Sequence, residues 1–148
     1  MVEPTKQQPQ PKKVEEKKPS FEEAADKYNG KCAGCTKSYG EKGGNCAHHT
    51  SDAMYRAGFT DVLTKVVGGP IKFRCTADRP GRAKELRDWV AGQGYTEHAS
   101  RPPPGTAAFF YAQNDKDGSG HVGLIDKNGK CRDTGVTDLW GTWRKYYW

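Results

Sequence analysis

Before residue 102 the apolar side chains recur at helical spacing; beyond it they run together or alternate, as strands do. Ser20-Phe21-Glu22-Glu23 predicts a helix start, with Ser20 as N-cap and Glu23 completing a capping box. That short helix is expected to reach about residue 28 and stop at Asn29-Gly30. Residues 30–44 hold five glycines and two cysteines without periodicity, which reads as loop. Asn45 is a good N-cap for a second helix running to residue 57, before Gly58. Its Cys46, Ala53, Met54 and Ala57 fall near one face, and small residues there allow close packing against a sheet. Residues 60–65 suggest a further helical turn, and 71–75 a short strand or an extended loop. A third helix is expected over 81–91, with Ala83, Leu86, Trp89 and Val90 as its apolar stripe.

Pro102-Pro103-Pro104-Gly105 then leads into a strand over 106–111, a loop over 114–120 and a strand over 121–125. Asp126-Lys127-Asn128-Gly129 reads as a hairpin turn returning into a strand over 130–134. If Lys130 returns opposite Ile125, Asp133 arrives beside Val122 and close to His121. A shift of one residue exchanges Asp133 for Thr134 on that face. Trp140, Trp143, Tyr146, Tyr147 and Trp148 are expected to close over the core as a last strand or turn. Helices first and an antiparallel sheet second make the fold class α+β.

Composition separates a tail from this pattern. Residues 1–20 carry five Lys, four Pro, three Gln and three Glu, too polar to offset chain entropy, so a disordered tail is expected there. Residues 21–148 suffice for one domain. The net charge of +6 suits polyanions, an anionic bacterial wall among them. Yet charges interleave, as in Lys84-Glu85-Leu86-Arg87-Asp88, and no nucleic-acid motif is present, so a nucleic-acid partner is not expected. No stretch has transmembrane length and no apolar run follows the N-terminus, so neither membrane insertion nor a conventional secretory signal is expected. A monomer is anticipated.

The candidate chemistry lies in Asn45-Cys46-Ala47-His48-His49, answered by Gly120-His121-Val122-Gly123. A cysteine in the first turn of a helix sits where unpaired N–H groups and a partial positive charge stabilise a thiolate. A histidine entering an apolar strand is a rigidly held base for it. The bland reading of each residue taken singly is a buried structural cysteine and an ordinary strand histidine. Five cysteines is an odd count. Cys32-Ala33-Gly34-Cys35 has the spacing of half a zinc site, which Cys75 and Cys131 could complete, or these thiols could form disulfides or stay reduced. Asp115, Asp117 and Ser119 match the start of an EF-hand loop, with Asp126 at its twelfth position, but Asn128-Gly129 leaves no room for an exiting helix.

A Cys-headed helix, a Pro-Gly-led strand, a Gly-His-Val-Gly strand and an Asn-Gly hairpin resemble the papain-like fold of the NlpC-type cell-wall peptidases. The cysteine-histidine amidohydrolase/peptidase family is similar. The matching segments are 45–59 and 104–134. The resemblance implies a cysteine peptidase or amidase that cleaves an amide of peptidoglycan by acyl-enzyme chemistry, in the cell envelope, without a metal or another cofactor. Cys46 would be the nucleophile, His121 the general base, and Asp133 the residue orienting the imidazole, with Asp126 as the alternative. The Cys46 N–H would form part of an oxyanion hole, supported by Asn45 and by Tyr39 or His48. The glutamine that papain-like peptidases place shortly before the cysteine is absent; NlpC-type enzymes use a tyrosine in that region. Asn45-Cys46-Ala47-His48 also resembles the signature of lecithin:retinol acyltransferase-like proteins, but there the histidine strand precedes the cysteine. A thiol acyltransferase and a non-enzymatic binding module remain the alternatives.

Overall fold

Three helices precede four antiparallel strands in the computed structural model, which describes residues 19–32, 34–35, 44–116, 118–133 and 143–148. The helices are α1 (Phe21–Lys27), α2 (Gly44–Arg56) and α3 (Ala83–Ala91), with a 3-10 turn at Thr60–Leu63. The strands are β1 (Ala108–Gln113), β2 (Gly120–Ile125), β3 (Cys131–Arg132) and β4 (Arg144–Tyr147), in the sheet order β3-β2-β1-β4. This is the α+β arrangement the apolar spacing predicts. No helix among the described residues is long and apolar enough to cross a membrane. Residues 1–18 of the expected 1–20 tail and the readings of Tyr39, Asp117, Thr134 and Trp140 lie outside the described residues.

Local chemistry explains the helix ends. Ser20 accepts the Glu23 N–H at 3.1 Å and caps α1. Helix α2 starts at Gly44, one residue before its expected N-cap, so Asn45 lies inside the first turn rather than capping it. The segment 71–75 forms no strand; an isolated bridge joins Arg74 to Pro80. Glu85 on α3 accepts the Lys72 and Phe73 N–H groups, which holds this loop against the helix without a strand partner.

The sheet divides its residues by alternation. Phe109, Tyr111, Val122, Leu124 and Trp148 join Phe21, Ala53, Met54, Leu86 and Val90 in the main core between sheet and helices. Phe110, Ile125 and Tyr147 form a smaller cluster with half-buried Cys131. Trp148 and Phe109 exchange both backbone hydrogen bonds at 2.9 and 3.0 Å, so the C-terminus closes the core as expected. Main-core burial of this kind is the principal stabilising term in such a domain.

Two hairpins correct details of the sequence reading. Lys130 returns opposite Asp126, and Cys131, not Lys130, stands opposite Ile125. The cause is the Asp126 carboxylate, which accepts the N–H groups of Asn128 and Lys130 at 2.9 Å each and shortens the loop to 127–129. Gly129, at φ +83°, supplies the left-handed residue that such a three-residue turn requires. The 114–120 loop is a β1–β2 hairpin closed by Asn114 N–H to the Ser119 carbonyl at 2.9 Å. Strand β2 begins at Gly120, so no helix exits as an EF-hand needs. Asp115 instead pairs with Arg144 at 2.8 Å.

Candidate active site

Cys46 is fully buried in the first turn of α2, the third residue of the helix. The first-turn N–H groups of a helix have no intrahelical acceptor and carry its partial positive charge. Small neighbours Ala47 and Ala53, both buried, let α2 lie close on β2.

His121 is the second residue of β2 and is almost fully buried. Its Nε2 stands 2.8 Å from the Asp133 Oδ2. Burial by itself pushes the imidazole pKa down from 6.5. The Asp133 hydrogen bond and the adjacent Cys46 sulfur outweigh that and raise it to about 9. The other ring nitrogen, Nδ1, is buried and finds no hydrogen-bond partner among the described residues. The structure therefore sets Asp133 on His121 Nε2, with the Cys46 sulfur near enough to raise the basicity of the ring.

The register correction accounts for Asp133. With Leu124 opposite Arg132, the next pair outward sets Asp133 against Gly123, on the same side as His121. Asp126, the alternative orienting residue, is consumed by the turn and by Arg132 Nε at 3.0 Å. The backbone and Arg132 hydrogen bonds hold its pKa down, although burial opposes them.

The supporting residues are placed otherwise than expected. Asn45 turns its side chain to His48, whose Nδ1 is 3.4 Å from Asn45 Oδ1. His48 lies two positions beyond Cys46, on the far side of the helix, and joins a group made with Cys32, Cys35 and Cys75. It is thus grouped with those sulfurs, away from the position an oxyanion donor beside Cys46 would need. Cys131 does not join that group; its sulfur lies 3.8 Å from an Arg101 Nη on the other side of the sheet. Within the group, burial and the neighbouring Cys75 push the Cys32 thiol up to about 12.

Sequence reasoning missed Tyr28. Its hydroxyl is buried without a hydrogen-bond partner among the described residues. Burial first, then the negative charge of Asp133 and of Cys46, raises its pKa, so the phenol lies within electrostatic reach of both. The residue follows α1 directly, and α1 packs on α2. Only the aromatic ending of that short helix marks it in the sequence.

No protein-family model and no curated protein matches the chain. Among solved structures it is similar to the type VI effector Tae4 from Enterobacter cloacae, with a TM-score of 0.53 at 18% identity, covering 89% of this chain and 96% of that one. At that identity the likeness is one of fold, extending over nearly the whole of both chains.

Proposed function

We propose that this chain is a papain-like cysteine hydrolase that cleaves an amide bond of peptidoglycan, with Cys46 as nucleophile, His121 as acid–base and Asp133 as the residue that orients the imidazole. The observation that carries the reading is the buried His121, held by Asp133 through Nε2 and raised in basicity by the sulfur of Cys46. A fold shared with a type VI effector and the net charge of +6 agree with an anionic wall polymer in the cell envelope as substrate.

His121 takes the thiol proton, and the Cys46 sulfur attacks the amide carbonyl carbon. The carbonyl oxygen becomes an oxyanion, met by the first-turn N–H of Cys46 and by the Tyr28 hydroxyl. As the C–N bond breaks, the imidazolium gives its proton to the leaving amine, and a thioester remains on Cys46. Water, deprotonated by His121, then attacks the thioester, releases the carboxylic acid and returns the proton to sulfur. Asp133 keeps the ring oriented throughout and favours its protonated form.

Purified peptidoglycan sacculi digested with the full chain test this, with products identified by mass. The wild type is expected to release fragments carrying one new amine and one new carboxylate, and Cys46→Ala and His121→Ala to release none. Intact sacculi after wild-type digestion, or unchanged cleavage by Cys46→Ala, would remove the proposal.

A further inference from the structure

Cys32, Cys35, Cys75 and His48 come from three separate segments, are all buried, and hold their ligand atoms within 4.8 Å of one another. The Cys32 and Cys75 sulfurs are 4.0 Å apart. A tetrahedral zinc site with Zn–S bonds near 2.3 Å has sulfur–sulfur edges of about 3.8 Å, so this spacing suits an ion at the centre.

The backbone around the sulfurs is built for the same purpose. Cys35 N–H bonds back to the Cys32 carbonyl at 3.2 Å, and Gly34 between them takes φ +82°, making a tight chelating turn. A second tight turn presents Cys75, closed by Asp78 N–H to the Cys75 carbonyl at 2.9 Å. Donors point at the sulfurs: the Ala77 N–H reaches Cys75 Sγ at 3.2 Å, and the Thr76 hydroxyl reaches Cys35 Sγ at 3.3 Å. Such donors favour thiolate over thiol and form the outer shell of a metal–thiolate site.

The fourth corner is oriented in the same way. Asn45 engages His48 Nδ1, which leaves Nε2 as the ligand atom and fixes the tautomer. Asp52, one helical turn after His48, pairs with Arg79 at 2.8 Å, and Arg79 donates to the Ala77 carbonyl at 2.8 Å. That ion pair clamps the Cys75 turn onto α2.

We propose that Cys32, Cys35, Cys75 and His48 bind one divalent metal ion in a closed tetrahedral site, zinc by the softness of its three sulfurs and one imidazole. All four positions are filled by protein, so the ion is structural and lies across α2 from Cys46. It fastens the first turns of that helix to the loops at 32–35 and 75–79. The amide-cleaving reading is not needed for this inference, since metal content is measured independently of any activity.

The test is elemental analysis of the full chain, purified under reducing conditions without chelator or a metal-affinity column. About one zinc per chain is expected in the wild type, in Cys46→Ala and in Cys131→Ser, and much less in Cys75→Ser and His48→Ala. Because the last two variants can fail to fold, cobalt loading of the wild type is the second readout. Intense visible bands of tetrahedral cobalt with thiolate charge transfer are expected. Folded wild type without bound metal, a mass two hydrogens lower that maps to a disulfide among Cys32, Cys35 and Cys75, or an octahedral cobalt spectrum would each overturn the site.

Discussion

The side chain that Gly123 lacks is the space Asp133 occupies: a Cβ placed on Gly123 would stand 2.7 Å from the Cβ of Asp133. It would also meet the Phe110 ring at 2.8 Å, and that ring lies 5.8 Å from the His121 imidazole. The Gly-His-Val-Gly strand is therefore shaped around its histidine. Gly123 lets a carboxylate from β3's end and an aromatic ring from β1 close on His121 from two sides.

Gly123→Ala is expected to push Asp133 or Phe110 away and to cost about 1–3 kcal/mol of stability, the usual range for overpacking a filled site. Turnover should fall further than the stability loss alone explains, because the 2.8 Å contact to His121 is broken. Urea unfolding beside an activity assay on the folded variant checks this. Full activity with native stability would show that the strand relaxes freely and that the close approach is incidental.

The His121–Asp133 contact also makes stability depend on pH. The imidazole pKa in the fold, about 9, lies above its ordinary 6.5. The protonated ring therefore stabilises the fold fully below pH 6.5, and that contribution disappears as pH rises through 9. Asp133→Asn removes the charged acceptor and leaves the Cys46 sulfur alone to oppose the downward push of burial. Its histidine is expected to titrate well below that of the wild type, and its unfolding free energy to lose the decline between pH 6.5 and 9. Imidazole proton shifts followed across pH decide the matter; equal midpoints in both proteins would contradict it.

Asp52 offers a prediction separate from catalysis. Its carboxylate is fully buried and shared between Arg79 and Arg56, each at 2.8 Å. Arg79→Ala strips the buried partner from Asp52, while the more exposed Arg56 remains. Breaking a buried pair from one side costs about 3–5 kcal/mol. Chemical denaturation should show a loss of that order, and Arg79→Lys should recover only part of it because Arg79 also binds Ala77 and lies over the Tyr55 ring. A loss within a few tenths of wild type would mean that water replaces the guanidinium.

Much of this was legible in the sequence, and the failures share a cause. Apolar spacing marks α1, α2 and α3 and both long strands, because period and caps are local properties of the chain. The approach of Asp133 to His121 follows from hairpin topology, but its register does not. That register turns on the Asp126 side chain capping its own turn, which no hydrophobic pattern records. His48 and Cys75 are 27 residues apart, and their meeting depends on how a helix face and a distant loop pack. Residue type alone offered Cys131 beside Cys75 as one way to complete the group, where the structure places His48 instead. Tyr28 escaped for the same reason: its electrostatic reach to Cys46 comes from α1 packing on α2, not from any motif.

That placement separates a catalytic role for Tyr28 from a structural one. Among the described residues the buried Tyr28 hydroxyl meets no hydrogen-bond partner, and a hydroxyl buried in that way destabilises the resting fold because its water hydrogen bonds are lost without replacement. Tyr28→Phe is therefore expected to leave stability unchanged or slightly raised. If the phenol meets the oxyanion, the same variant should lose roughly 10²–10³ in kcat, as removal of one such donor does. Its KM should move little, because the hydrogen bond strengthens only as charge develops on the oxygen. Thermal unfolding and steady-state kinetics on one preparation resolve the two. Undiminished kcat would leave the oxyanion to backbone donors, whereas a drop in stability would show that the hydroxyl has a structural partner.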